Sequence, residues 1–152
     1  MAELEIKCLT VSSCYTNCYV CCNKDTKEGF IVDPGDDFVK ITNYINSMDM
    51  KVVAIILTHG HFDHIGAVDK LKERYDLTVY ASEAEKDTIT DTTKNLTSYL
   101  SSRTAIWKPM TARSVWTCVP MPDRGLILSP LSMRGLLSGR WKSVVSRRIS
   151  ET

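Results

Sequence analysis

Long hydrophobic runs are missing from this sequence. No stretch approaches the roughly 18 consecutive apolar residues that cross a membrane as a helix, so no helical span is expected. The first residues, Met-Ala-Glu-Leu-Glu-Ile-Lys, carry neither a basic nor an apolar leader, so no secretory signal is expected and the cytoplasm is the expected address. Seven glycines and five prolines are too few for a collagen-like or low-complexity chain. Histidine is scarcer still, with three in 152 residues. Arginine is almost absent from the first two-thirds, where Arg74 stands alone, whereas seven arginines follow Ser102. Acidic residues show the opposite gap: beyond Asp91 only Asp123 and Glu151 remain.

What is present fits a globular chain. Hydrophobic residues make up 43% and charged residues 24%, and the length suits one domain. The formal net charge of +1 conceals two unlike segments. Residues 1–102 hold ten Lys/Arg against sixteen Asp/Glu; residues 103–152 hold nine against two, with all three tryptophans, Trp107, Trp116 and Trp141. The composition breaks near Ser102, and the chain divides there into a patterned part and a basic tail.

Six cysteines would suggest a disulfide framework in an exported protein. Without an export signal they read as reduced thiols, most of them small apolar core residues. Cys18 and Cys21 form a Cys-x-x-Cys pair, half of a zinc site, but no second pair accompanies it. A strand is the better reading of that stretch.

Residue pattern sets the element order. Leu4–Val11 and Asn17–Asn23 read as strands, the second with Cys18, Val20 and Cys22 on one face. Lys24–Glu28 is a polar turn into a short strand, Gly29–Val32, which completes a hairpin and stops at Asp33-Pro34-Gly35. Asp36 or Asp37 is placed to cap a helix whose apolar positions are Phe38, Ile41, Tyr44 and Ile45. Lys51–Leu57 is continuously apolar after its first residue, as in a central strand covered on both faces. Ile65, Val68, Leu71 and Tyr75 predict one helix, Leu77–Ala81 another strand, and Ser82 with Glu85 a capping box for a short helix around Ala84–Thr90. Alternating strands and helices predict an α/β fold. Beyond Ser102 no helix or strand is predicted.

Chemistry concentrates in one loop, Thr58-His59-Gly60-His61-Phe62-Asp63-His64, which follows the buried strand. Three imidazoles and a carboxylate within six residues are too dense for an ordinary surface turn or for isolated core histidines. Neutral imidazole suits zinc, iron or nickel, and a carboxylate can bridge metals or orient a bound water. His59, His61, Asp63 and His64 are therefore the candidate metal ligands.

The His-x-His-x-Asp-His pattern after an apolar strand and a threonine resembles the signature of the metallo-β-lactamase superfamily. The Thr16-Asn17-Cys18-Tyr19 hairpin and the Ile31-Val32-Asp33-Pro34-Gly35 turn resemble the matching segments of its glyoxalase II-like hydrolases, which include hydroxyacylglutathione hydrolases. The resemblance covers about residues 1–102. It implies an α/β fold of the αββα sandwich type and a metal-dependent hydrolase acting on a small ester or thioester. By it, His59 and His61 would ligate a first metal, and Asp63 and His64 a second. Two zinc ions are implied, with iron or manganese as alternatives, about 3.5–4 Å apart around a hydroxide nucleophile that Asp63, the expected catalytic residue, would orient. Asp33 would steady the metal loop through hydrogen bonds, although an Asp ahead of Pro-Gly is equally a plain turn residue.

The chain also departs from that pattern. Relatives complete the site with a Gly-His-Thr histidine, a Gly-Asp aspartate and a last histidine. Here all three histidines are already used, and Asp123 in Pro-Asp-Arg-Gly does not match. The second half of the sandwich is therefore incomplete or unrecognisable in sequence. Either the tail has diverged, or the coding sequence slips out of frame near Ser101–Arg103 and the tail is disordered, unselected translation; its composition fits the second better. Lactonase or phosphodiesterase chemistry and a non-catalytic metal-binding chain of the same fold stay open. Nine Lys/Arg among three tryptophans would also permit phosphate contact and base stacking. Those charges are scattered and no nucleic-acid motif accompanies them, so nucleic acid is not the expected partner.

Overall fold

The computed structural model describes residues 3–100 and 116–119. The chain divides into two units, Met1–Pro122 and Asp123–Thr152, and every described residue belongs to the first. The expectation of a disordered or out-of-frame tail concerns residues outside the described set, apart from 116–119.

Six strands form one mixed sheet in chain order. Strands β1 (Leu4–Val11), β2 (Thr16–Asn23) and β3 (Glu28–Val32) pair antiparallel, and β4 (Lys51–Ile56), β5 (Thr78–Ser82) and β6 (Trp116–Val119) continue from β3 in parallel. Parallel neighbours need crossovers. Helix α1 (Phe38–Ser47) supplies the first, and α2 (Phe62–Ile65) with α3 (Val68–Tyr75) the second. A 3₁₀ turn (Glu83–Glu85), α4 (Lys86–Thr90) and α5 (Thr97–Leu100) follow β5. The strand β6 lies in the tail, where the sequence predicted none.

Period-two alternation sorts the strand residues. Cys18, Val20 and Cys22, then Ile31, Ile55, Val79 and Ala81, share one core with Ile41 and Ile45 of α1 and Val68 and Leu71 of α3. The helices therefore cover this face. Tyr19, Cys21, Val32, Ala54 and Tyr80 alternate with that set and are buried as well. A β4 closed in on both sides explains its unbroken apolar run, and burial of each large aliphatic stabilises the fold by about 1.5–3 kcal/mol.

Three local expectations need correction. Asp37 occupies the position before α1 but makes no side-chain cap; its backbone is left-handed (φ 54°), and its carboxylate accepts the Ser12 N–H at 3.1 Å. The single helix expected over Ile65–Tyr75 is broken at Gly66-Ala67, because the Ala67 N–H is diverted to the Pro34 carbonyl at 2.9 Å. Ser82 does cap the 3₁₀ turn by accepting from Ala84 N–H, but Glu85 does not close a capping box with it. Its carboxylate accepts the Gly60 N–H instead, at 3.0 Å.

Candidate metal centre

The loop from Thr58 to His64 leaves the C-terminal end of β4, where open α/β sheets place their ligand sites. It runs directly into α2, with His61 in extended backbone before the helix and Asp63 and His64 within it. The short spacing brings the three imidazoles together. The His59 ring centroid lies 4.7 Å from that of His61 and 3.9 Å from that of His64. All four candidate ligands are half-buried, so the cluster is reachable from solvent while Asp33 beneath it is not.

Asp33 ties the cluster to the sheet. It sits at the end of β3 in a left-handed conformation (φ 49°), and its carboxylate accepts the Thr58 N–H at 2.8 Å and the Thr58 hydroxyl at 2.5 Å. Having given its only proton to Asp33, the Thr58 oxygen must accept from His59 Nδ1, 3.0 Å away. His59 Nε2 is then the unprotonated nitrogen, which is the form a metal takes. His64 shows the same polarity: Nδ1 lies 3.1 Å from Asp33 Oδ2 and Nε2 lies 3.4 Å from Asp63 Oδ2. The Nδ1 contact is at ion-pair distance but out of line for a hydrogen bond. On the far side, the buried Thr16 hydroxyl donates to Asp63 Oδ2 at 2.7 Å.

These surroundings move His59 and His64 in opposite directions. His59 is held below its ordinary pKa, first by burial and then by the neighbouring His64, so it is neutral at pH 7. Burial also works against charge on His64, but the carboxylates of Asp33 and Asp63 outweigh it and raise the pKa.

The donor set suits a metal. Ligating histidines characteristically turn their second nitrogen to a carboxylate or another acceptor. Here Asp33 and Thr58 occupy that position for His64 and His59, and His64 Nδ1 is buried without a formed hydrogen bond. Among the described residues no group of three donors is already closed into ligating geometry; the rings are gathered but face one another and their acceptors. Cys18 and Cys21, three residues apart on one strand, point to opposite faces of the sheet and form no metal site together.

The sequence pattern singled out the four candidate ligands, and the family resemblance added Asp33, but neither singled out Thr16, Glu85 or Asn95, which bond to the loop in the structure. Thr16 carried no signal beyond its place in the hairpin motif. Glu85 was obscured by its fit to a capping box, and Asn95 acts through its backbone.

A family model described as the metallo-beta-lactamase superfamily matches residues 12–131. The chain belongs to that superfamily. The probable metallo-hydrolase YqgX of Bacillus subtilis (strain 168) is 45% identical over 65 residues, which cover 43% of this chain and 31% of YqgX. Hydroxyacylglutathione hydrolase GloC of Haemophilus influenzae is 32% identical over 84 residues, 55% of this chain and 39% of GloC. The crystal structure of the BLEG-1 B3 metallo-beta-lactamase superposes with a TM-score of 0.58 at 34% identity, covering 82% of this chain and 54% of that one. The fold is thus the α/β fold of the metallo-β-lactamase superfamily, and curated relatives of the chain within it are named as hydrolases. It spans less than half the length of these curated relatives. Among the described residues no helix is long and apolar enough to cross a membrane.

Proposed function

We propose that this chain holds metal through His59, His61, Asp63 and His64 and belongs to a hydrolase of small thioesters, of the glyoxalase II type. The main support is the gathering of three imidazoles and the Asp63 carboxylate in one half-buried loop, with the His59 Nδ1 held by Thr58 so that its Nε2 is left as a donor, and the His64 ring set between the carboxylates of Asp33 and Asp63. Kinship with a hydroxyacylglutathione hydrolase supports the thioester class. Zinc is the expected metal, with iron or manganese as alternatives that imidazole and carboxylate also suit.

A metal held by these residues would lower the pKa of bound water toward about 7 and polarise a carbonyl oxygen. The chain's own residues supply direction. Thr16 fixes Asp63 Oδ2, and so fixes how that carboxylate accepts a proton from an attacking nucleophile. Thr58 and Asp33 hold His59 and His64 in register with it. Because the sequence has no further histidine, any additional donor is a carboxylate, a cysteine or a second chain. Turnover is therefore expected to be slow, since a misplacement of about 1 Å can cost roughly 100-fold.

Hydrolysis of a hydroxyacyl-glutathione by the full chain, with and without added zinc, tests this reading. Slow, metal-dependent release of thiol that Asp63→Ala removes is the expected result. Equal rates for the chain and Asp63→Ala at every metal concentration would contradict it, and preferential cleavage of a lactone or phosphodiester would reassign the substrate. For the tail, we favour the out-of-frame origin, and the nucleotide sequence of codons 98–104 read in three frames decides it.

A further inference from the structure

The metal-bearing loop is gripped from a second side, by the segment that follows β5. Gly60 and Phe62 flank His61, and their backbone N–H groups both leave the loop. Gly60 donates to Glu85 Oε2 at 3.0 Å, and Phe62 donates to the Asn95 carbonyl at 2.9 Å. Between these two points Ile89 packs onto Gly60. A Cβ at position 60 would stand 2.5 Å from Ile89 Cγ1 and 2.9 Å from its backbone nitrogen. Gly60 does not adopt a positive φ, so close approach, not a special backbone angle, excludes a side chain there. The gripping segment is itself fixed: Asn95 is 1% exposed, and its amide reaches the Ile89 carbonyl at 3.4 Å while its Oδ1 accepts from Thr97 N–H at 2.9 Å.

We propose that Glu85 is a positioning residue for the metal site, acting through the Gly60 amide to set where His59 and His61 present their nitrogens. The inference rests on the metal-holding reading above. The Glu85 carboxylate has no other hydrogen-bond partner among the described residues, and the amide it accepts from belongs to a buried glycine between the two candidate ligands. Without that acceptor the Gly60 N–H stays buried and unpaired, a state the loop relieves by shifting. A shift of Gly60 turns His59 and His61 together, because one residue separates them. Only the acceptor atom matters in this role. The carbonyl of glutamine replaces it, a methyl group does not, and aspartate falls short by one methylene.

Full-length protein carrying Glu85→Ala, Glu85→Gln or Glu85→Asp separates these cases by two readouts. The first is exchange of the Gly60 amide proton in metal-free protein, and the second is zinc affinity by competition with a chromophoric chelator. Glu85→Ala should exchange Gly60 about tenfold faster or more, and bind zinc about 10–100-fold more weakly. Glu85→Gln should stay close to the parent in both, and Glu85→Asp, the milder variant should alanine unfold the loop, should fall between. Parent-like zinc affinity in Glu85→Ala, or a Glu85→Gln chain as weak as Glu85→Ala, would overturn the proposal alone. A parent chain that binds no zinc would overturn the metal reading itself, and the proposal with it.

Discussion

Gly35 lies directly against the backbone carbonyl of Asp63, so closely that a Cβ at position 35 would overlap that oxygen. The Asp33-Pro34-Gly35 turn therefore does more than end β3. Its Pro34 carbonyl takes the Ala67 N–H, and its glycine lets α2 seat against the end of the sheet. Gly35→Ala should push Asp63 and His64 away from Asp33 and destabilise the fold by about 1–3 kcal/mol, the usual range for overpacking against backbone. Urea denaturation measures the loss. Unchanged stability would mean that the turn and α2 are not in contact in solution.

Asp33 supports the site by a different means, as the acceptor that orders Thr58 and faces His64. Asp33→Asn tolerates the left-handed backbone and keeps one acceptor oxygen, but it gives up the other and the negative charge. Zinc affinity should fall about 10–100-fold, with a stability cost of about 1–3 kcal/mol from weakened satisfaction of Thr58. Chelator competition and thermal melts on one preparation separate the two effects. Affinity equal to the parent would remove Asp33 from the metal site and leave it a turn residue.

The buried thiols carry a pH signature. Burial, helped by Cys22, pushes Cys21 up to about 12, and burial with the nearby Asp33 raises Cys18 further. Both stay neutral in the folded chain and ionise near about pH 8.5 once unfolded. Above that pH the unfolded state releases protons that the folded state keeps. Stability is thus full below about pH 8.5 and falls as pH rises toward the folded values, by about 1.4 kcal/mol per unit for each thiol. The urea midpoint should fall between about pH 8.5 and 10, and the Cys18→Ala/Cys21→Ala chain should show a flatter slope. Parallel slopes for the two chains would refute the assignment.

Much of this molecule is readable from its residues because local pattern and tertiary environment agree. Val52 to Leu57 announces a central strand since both of its faces are covered, and Ile41 with Ile45 announces the covered side of α1. The histidine loop is readable as a cluster because its members are adjacent in sequence. What escaped was decided by partners far along the chain. Glu85 fits a capping box by spacing, and only the approach of Gly60, 25 residues earlier, draws it away. Asp37 is likewise drawn from its helix by Ser12, and the break at Gly66-Ala67 arises from the Pro34 carbonyl. Strand β6 lies in a stretch without alternation, so its pairing with β5 has no local signature.

Metal binding by the histidine loop underlies the proposed chemistry. Equilibrium dialysis against zinc, with elemental analysis of the full chain and of His59→Ala/His61→Ala, tests it most directly. Zinc normally takes three or four protein ligands, and each of two metals would here have two. The chain should therefore retain less than two zinc ions after dialysis, and the double variant, with its circular dichroism unchanged, should lose most of what the parent retains. Equal zinc content in the two proteins would contradict the account, because the metal would then be held somewhere other than this loop.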